Sequence, residues 1–270
     1  HPVYIRTSSR GAEETITTKR ADQVKVGDMV CLSRFTEEGV SDSYLEIPYN
    51  SRGDKVKLNE ELGFLTGLIA SDGYLRKKTN AIKFCNTNEQ LISKFIHLSE
   101  SIFSKTPSIQ RRKDQPNYKE ARFFSLEAMT VFTNIGIERG ARSLTSRMPE
   151  LITKSPTNVI WSFLAGLIEG DGSINKEGRV RIVLGSKDFA KDIVTLLNTL
   201  GVRASWCNHS TGGSNSIVKS ENSYCVRLSS ITPITERLLT KGKSNKCFTQ
   251  TAQPSKASKV IETWLEDYND

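Results

Sequence analysis

Two stretches of the chain carry apolar residues at helical spacing, and they carry nearly the same residues. Residues 65–73 read Leu-Thr-Gly-Leu-Ile-Ala-Ser-Asp-Gly and residues 164–172 read Leu-Ala-Gly-Leu-Ile-Glu-Gly-Asp-Gly, identical at six of nine positions. In each, the large apolar residues fall at i, i+3 and i+4 (Leu65, Leu68, Ile69 and Leu164, Leu167, Ile168), which places a buried stripe on one face of a helix. Gly67 with Ser71, and Gly166 with Gly170, are four apart and give each helix a second face of small residues. Small residues let two backbones approach closely, so the pattern predicts that the two helices pack on each other. Gly73 and Gly172 follow the helical run and predict left-handed C-terminal caps.

The periodicity continues in register downstream. Asp171 follows Asp72 by 99 residues, and at the same offset Thr87 and Ser186 each precede an amphipathic run, with Leu91, Ile92, Phe95 and Ile96 in the first and Ile193, Leu196 and Leu197 in the second. Thr87-Asn-Glu-Gln is a capping-box pattern, so Thr87 is the expected N-cap of its helix. Apolar runs at Ala81–Cys85 and Val180–Leu184 read as strands ahead of these helices. Ser108–Arg112 with Ala121–Leu126, and Val202–Cys207 with Tyr224–Ser229, read as second hairpins, and Met129–Ile135 and Pro233–Leu239 as closing helices. The predicted class is α+β: two pseudo-symmetric αββαββα repeats, each with a four-stranded antiparallel sheet.

Within the strands, Arg179 and Arg181 alternate with Val180, Ile182 and Leu184, and Arg227 alternates with Val226 and Leu228. One face of that sheet is apolar and the other basic. In the first half Lys83 lies between Ile82 and Phe84, the opposite parity under the 99-residue offset; a bulge or a shifted hairpin would reconcile the two. Arg76, Lys77, Lys78, Arg111, Arg112, Lys113, Lys119, Arg122 and Arg203 are further basic candidates.

Composition sharpens this picture. The 270 residues hold 37% hydrophobic and 25% charged residues, which fits a globular chain with a core, and 38 Lys plus Arg against 30 Asp plus Glu give a net charge of +8. A basic balance suits a polyanion, because Lys and Arg displace condensed counterions, and a β-ribbon fits the major groove of DNA. No apolar run reaches membrane-spanning length and no signal-peptide pattern opens the chain, so the expected setting is intracellular: prokaryotic cytoplasm or eukaryotic nucleus. Cys31, Cys85, Cys207, Cys225 and Cys247 form no CxxC pair, and Cys207 with His209 lacks the further ligands of a zinc site.

Asp72 and Asp171 sit in the last turn of their helices, facing the negative end of the helix dipole. If the helices touch along their small faces, the two carboxylates approach and repel each other, and a hard divalent cation such as Mg²⁺ relieves the conflict. Either Asp-Gly alone reads as an ordinary turn; the pair points to metal-dependent catalysis.

The two nonapeptides resemble the LAGLIDADG motif of homing endonucleases, and two copies in one chain resemble the monomeric members of that family, over about residues 58–250. The resemblance implies a double-stranded DNA partner, Mg²⁺, and two sheets forming a saddle over the duplex. It implies a monomeric, site-specific endodeoxyribonuclease cutting a long asymmetric target. Asp72 and Asp171 would bind metal, joined by the carbonyls of Ser71 and Gly170. It also places a basic residue late in each repeat near the metals, for which Lys243, Lys241 and Lys246 stand in the second half and Arg142 in the first. The first motif departs at its sixth position, Ala70, where the family carries an acid; that position is not the metal ligand. The alternative is a catalytically inactive relative that binds nucleic acid as an RNA maturase or a DNA-binding regulator.

His1-Pro2 with Ala21-Asp22-Gln23-Val24-Lys25-Val26-Gly27-Asp28-Met29-Val30 resembles the later part of an intein N-terminal splicing block, with an unrelated small β segment as the alternative. Trp264 to Asp270 shows no terminal His-Asn, so splicing by this chain as given is not expected. The expected divisions are residues 1–50, a partial splicing-like segment and linker; 51–155 and 156–250, the two repeats; and 251–270, a C-terminal tail or helix.

Overall fold

The computed structural model describes residues 2–7, 15–30, 43–111, 117–176, 178–209, 223–229, 232–240 and 258–259. The chain divides into two compact units, residues 1–36 with 251–270, and residues 37–250. The first is a four-stranded antiparallel sheet of β1 (Pro2–Thr7), β2 (Thr15–Arg20), β3 (Met29–Val30) and β14 (Ser258–Lys259), in the order β14-β3-β1-β2. Residues near both ends of the sequence thus share one sheet, with Ser258 opposite Val30. In the turn before β3, the Asp28 carboxylate accepts from the Lys25 amide at 2.8 Å and from Lys19 Nζ at 2.9 Å. Those two bonds hold its pKa below the usual carboxylate value.

The larger unit opens with a hairpin, β4 (Leu45–Pro48) and β5 (Lys55–Leu58). The first repeat follows as α1 (Glu60–Asp72), β6 (Gly73–Leu75), β7 (Ala81–Asn86), α2 (Glu89–Phe103), β8 (Ser108–Arg111), β9 (Lys119–Phe124) and α3 (Leu126–Ile135). After the short α4 (Glu150–Thr153), the second repeat runs α5 (Thr157–Asp171), β10 (Gly172–Ile174), β11 (Arg179–Leu184), α6 (Lys187–Thr199), β12 (Ala204–Asn208), β13 (Tyr224–Ser229) and α7 (Thr232–Thr235). The sheets have matching orders, β6-β7-β9-β8 and β10-β11-β13-β12, with every pairing antiparallel. The αββαββα repeat read from the sequence is therefore present twice. The closing helix expected at Pro233–Leu239 is a single turn, Thr232–Thr235.

One hydrophobic core runs through both repeats, centred on α1 and α5. The two helices lie parallel, with Gly63 against Val159, Gly67 against Gly166 and Gly170 against Ser71. A β-carbon on Gly67 would sit deep inside the Phe163 carbonyl oxygen, 2.8 Å from Leu167 N and 3.0 Å from Gly166 Cα. One on Gly166 would meet the Phe64 carbonyl oxygen in the same way. The small faces predicted from the motif are the contact between the halves.

Two local expectations are corrected. Gly73 and Gly172 are not left-handed: their φ, ψ values are −92°, 161° and −96°, 156°, because the chain passes from helix straight into β6 and β10. Glycine is needed there for space, since a β-carbon would stand 2.6 Å from the Ile69 or Ile168 carbonyl oxygen. The N-cap of α2 is Asn88, not Thr87; its side chain accepts from Gln90 N at 2.9 Å, while Ser186 caps α6 as expected, accepting from Phe189 N at 3.2 Å.

The shifted cap and the parity of Lys83 have one cause. Six residues, 76–81, separate the paired Leu75 and Ile82, whereas five, 175–179, separate the paired Ile174 and Val180. The first turn is one residue longer, so beyond it the halves correspond at an offset of 98 residues, pairing Lys83 with Arg181 and Asn88 with Ser186. No bulge is required. Among the described residues no helix is long and apolar enough to cross a membrane.

Candidate metal and nucleic-acid site

Asp72 and Asp171 are the last residues of α1 and α5, brought to the same end of the helix pair by the glycine contacts. A β-carbon on Gly170 would fall 2.5 Å from Ser71 Cβ and 3.1 Å from Asp72 Oδ2. The Ser71 side chain therefore occupies the space that glycine leaves open, and the Asp72 carboxylate lies beside it, next to the residue that precedes Asp171. The candidate ligands at this helix end are oxygens: the Asp72 and Asp171 carboxylates, with the carbonyls of the preceding residues Ser71 and Gly170. That set matches the preference of a hard divalent cation. Among the described residues no group of three or more His, Cys, Asp and Glu side chains could hold a metal.

Asp72 Oδ2 accepts a 2.7 Å hydrogen bond from Asn86 Nδ2, at the end of β7. Asn86 was not among the residues singled out from the sequence. A polar residue at a strand end reads as turn chemistry, and only the fold brings it back to the motif aspartate.

A cavity of about 390 Å³ opens beside Asp171, lined by Ser71, Tyr74, Gly140, Arg142, Gly185 and neighbouring residues. Arg142 Nη2 donates to the Ile69 carbonyl oxygen and, at 3.0 Å, to that of Gly73. A cation thus satisfies the C-terminal carbonyls of α1. Burial pushes the Arg142 guanidinium below its usual pKa, opposed by the charges of Asp171 and Glu138. Its Nη1 is buried and has no hydrogen-bond partner.

In the second half the sixth motif position is Glu169, 3% exposed. Its Oε1 accepts from the amides of Leu239 and, at 2.9 Å, Thr240, and its Oε2 accepts from Thr240 Oγ1. The acid anchors the backbone that leads into Lys241, which explains why Ala70 in the first motif leaves the paired carboxylates intact: Arg142 anchors the corresponding segment there. Lys241, Lys243 and Lys246 lie outside the described residues, as do Arg112 and Lys113.

On the second sheet, register and alternation set Ser173, Arg181, Arg227 and Ser205 in one row across the face away from the core. Arg179 lies in the next row, opposite Ser229, and exposed Arg203 immediately precedes β12. Arg227 lies against the thiols of Cys225 and Cys207, which raise its pKa above the ordinary guanidinium value. The equivalent row of the first sheet is Tyr74, Lys83, Arg122 and Ser108. Here Lys83 Nζ pairs with Glu120 Oε1 at 2.7 Å, and the Arg122 guanidinium stands over the Phe124 ring, 5.5 Å from its centroid.

Arg111 and Lys119 face each other on the opposite, helix side of this sheet, in phase with buried Ala121 and Phe123, and Lys119 pairs with Glu89. Arg76, Lys77 and Lys78 are exposed in the β6–β7 turn. Arg139 ties that turn down by donating to the Arg76 carbonyl oxygen at 3.0 Å and that of Thr79 at 2.8 Å.

Two αββαββα halves joined through glycine-faced helices that end in paired aspartates define a class. The family model described as "LAGLIDADG-like domain" matches residues 59–136 and 158–246, and the chain belongs to that family. It is 31% identical over 164 residues to a DNA polymerase of Thermococcus hydrothermalis, covering 58% of this chain and 9% of that protein. It is 29% identical over 204 residues to the replication factor C small subunit of Methanocaldococcus jannaschii, covering 76% and 10%. The chain thus spans about a tenth of the length of these relatives. Among solved structures, mesophilic variants of the homing endonuclease I-DmoI superpose with a TM-score of 0.48 at 19% identity, covering 64% of this chain and 89% of that one.

Proposed function

We propose that the chain is a site-specific endonuclease that hydrolyses phosphodiester bonds in both strands of duplex DNA, as a monomer, with Mg²⁺. The observation that carries this reading is that the close packing of Gly170 on Ser71 brings Asp72 Oδ2 beside the residue that precedes Asp171. In this reading Asp72 and Asp171, with the carbonyls of Ser71 and Gly170, hold the metal. Bound there, Mg²⁺ supplies charge stabilisation for the phosphate and an activated water. Asn86 orients Asp72. In the same reading Arg142, whose Nη1 has no hydrogen-bond partner, serves as a phosphate contact, and Lys241 and Lys243 are the basic candidates of the second half.

The open faces of the two sheets contact the duplex. Arg179, Arg181, Arg203 and Arg227 serve one half, and Lys83, Arg122 and the Arg76–Lys78 turn the other. Because the two rows differ in sequence, the target is asymmetric. Matching segments that make up about a tenth of a DNA polymerase and of a replication factor C small subunit support an inserted, intein-associated origin. The splicing-like reading of residues 1–50 belongs to the same proposal.

The deciding experiment incubates the chain with a randomised duplex pool, with Mg²⁺ and with chelator, and sequences the ends produced. Recovery of one long asymmetric site with Mg²⁺, lost in Asp72→Asn and Asp171→Asn, is expected. Cutting that survives excess chelator, or retention of a site with no cutting at all, overturns the proposal; the second outcome marks a binding protein.

A further inference from the structure

The capping residue of each second helix reaches into the other half. Asn88 caps α2 through its side-chain oxygen, and its Nδ2 donates to Thr240 Oγ1 of the second half at 3.1 Å. Ser186 caps α6, and its Oγ donates to the Ser146 carbonyl oxygen of the segment that follows the first repeat, at 2.7 Å. Ser146 in turn donates through its amide to the Arg142 carbonyl oxygen at 2.8 Å. The arrangement is reciprocal.

The two networks end in different places, the first at the Asp72 carboxylate and the second at the Arg142 backbone. From Thr240 the first runs through Asn88, whose amide donates to Asn86 Oδ1 at 2.8 Å, and through Asn86 to Asp72 Oδ2. At its other end the Thr240 hydroxyl donates to buried Glu169. The second runs from Ser186 through Ser146 to the segment carrying Arg142, whose guanidinium stands within the field of Asp171. A threonine hydroxyl is the one group that both accepts from Asn88 and donates to Glu169, so it completes the first network with its single proton.

We propose that Thr240 is a positioning residue that ties the end of the segment following α7 to Asp72 of the opposite half, so that its hydroxyl governs hydrolysis of one DNA strand and not the other. This rests on the endonuclease reading above. The hydrogen bonds that start at Thr240 end at Asp72, so breaking them leaves the Ser186–Ser146–Arg142 network in place.

Thr240→Val keeps the shape and the backbone bonds to Glu169 but removes the hydroxyl; Thr240→Ser restores it. On a cleavable duplex labelled differently on each strand, Thr240→Val is expected to slow one strand about 10-fold or more and the other by less than about 2-fold, in line with the loss of a group that orients a metal ligand. The Kd for DNA in Ca²⁺ stays unchanged, and Thr240→Ser recovers the wild-type pattern. Equal slowing of both strands, no slowing, or failure of serine to rescue overturns the inference. A second measurement needs neither DNA nor metal: by NMR, the Asn88 side-chain amide protons shift and exchange faster in Thr240→Val than in wild type. If the wild-type chain cuts no duplex, the endonuclease reading falls on its own; unchanged Asn88 protons would sink the network itself.

Discussion

Asn86, at the end of β7, donates from Nδ2 to Oδ2 of Asp72, the last residue of α1, at 2.7 Å. At the 98-residue offset that relates the halves past the first hairpin, the residue matching Asn86 is Leu184, a core side chain. One carboxylate is oriented by a side-chain amide, while the other lies near a buried guanidinium. The surroundings of the two motif aspartates are chemically unequal.

Asn86→Ala should therefore lower cleavage about 10- to 100-fold, the usual cost of removing a group that orients a metal ligand. The deficit should fall unevenly on the two strands and leave DNA affinity in Ca²⁺ unaltered. Strand-resolved single-turnover rates give the answer, and equal loss on both strands would contradict the inequality described here.

The glycine contact predicts a stability effect. Gly67→Ala places a β-carbon against backbone of α5, where no side chain can swing aside. The cost should be at least about 1–3 kcal/mol, the range for overpacking a close-packed interior. Urea denaturation should show a lower midpoint, whereas Gly201→Ala probes only a strained turn, since that glycine has φ of 74° and open space around it. Equal midpoints for wild type and Gly67→Ala would mean the helices are not packed this closely.

Asp192 on α6 binds Arg147 of the segment between the repeats, with Arg147 Nε 2.7 Å and the Met148 amide 3.1 Å from Oδ2. Burial pushes the carboxyl up, but the Arg147 and Met148 hydrogen bonds and the Arg147 charge more than offset it, and the pKa lies below 3.8. A depressed folded-state pKa contributes stability above the unfolded value, lost as pH falls through the folded one. Asp192→Asn should therefore cost about 1 kcal/mol near neutral pH, the size expected for a partly screened pair. The difference from wild type should begin to shrink below about pH 4 and vanish once pH has fallen through the depressed folded-state pKa. Thermal melts across that range provide the check, and a gap that widens on acidification would reverse the sign.

Sheet parity separates residues of the same charge. Arg181→Ala removes a side chain from the open face and should weaken duplex binding, with the salt slope flatter by about one unit if a phosphate contact is lost. Lys119→Ala removes one on the helix side, paired with Glu89, and should leave affinity and slope as they were. Titrations at several salt concentrations distinguish the two; equal effects would place the duplex elsewhere.

Much of this was legible in the sequence because the motif repeats itself. The spacing of Leu65, Leu68 and Ile69, the small residues between them, and the shared offset were enough to place the helices, the sheets and Asp72 with Asp171. Phase errors entered where a single residue changes a turn: the extra residue between Leu75 and Ile82 moved the cap from Thr87 to Asn88 and turned Lys83 to the open face. Arg111 and Lys119 counted as basic residues in the sequence, but their side of the sheet depends on register, which charge does not reveal. Gly73 and Gly172 were read for the conformation glycine permits, and the fold uses them for the room they leave. Asn88 and Thr240 stand 152 residues apart, and no local pattern signals their bond.

The meeting of Gly67 with Gly166 also limits how such a chain can be inherited or recombined. Each helix fills the volume that the other leaves by lacking a β-carbon, so neither half is a free-standing cassette. A chimera that joins one half to a foreign one succeeds only if the newcomer carries glycine at the same depth. Because each β-carbon would meet backbone and not side chain, no change at the facing glycine can make room, and the two positions stay fixed while the surface rows of the two sheets are free to diverge.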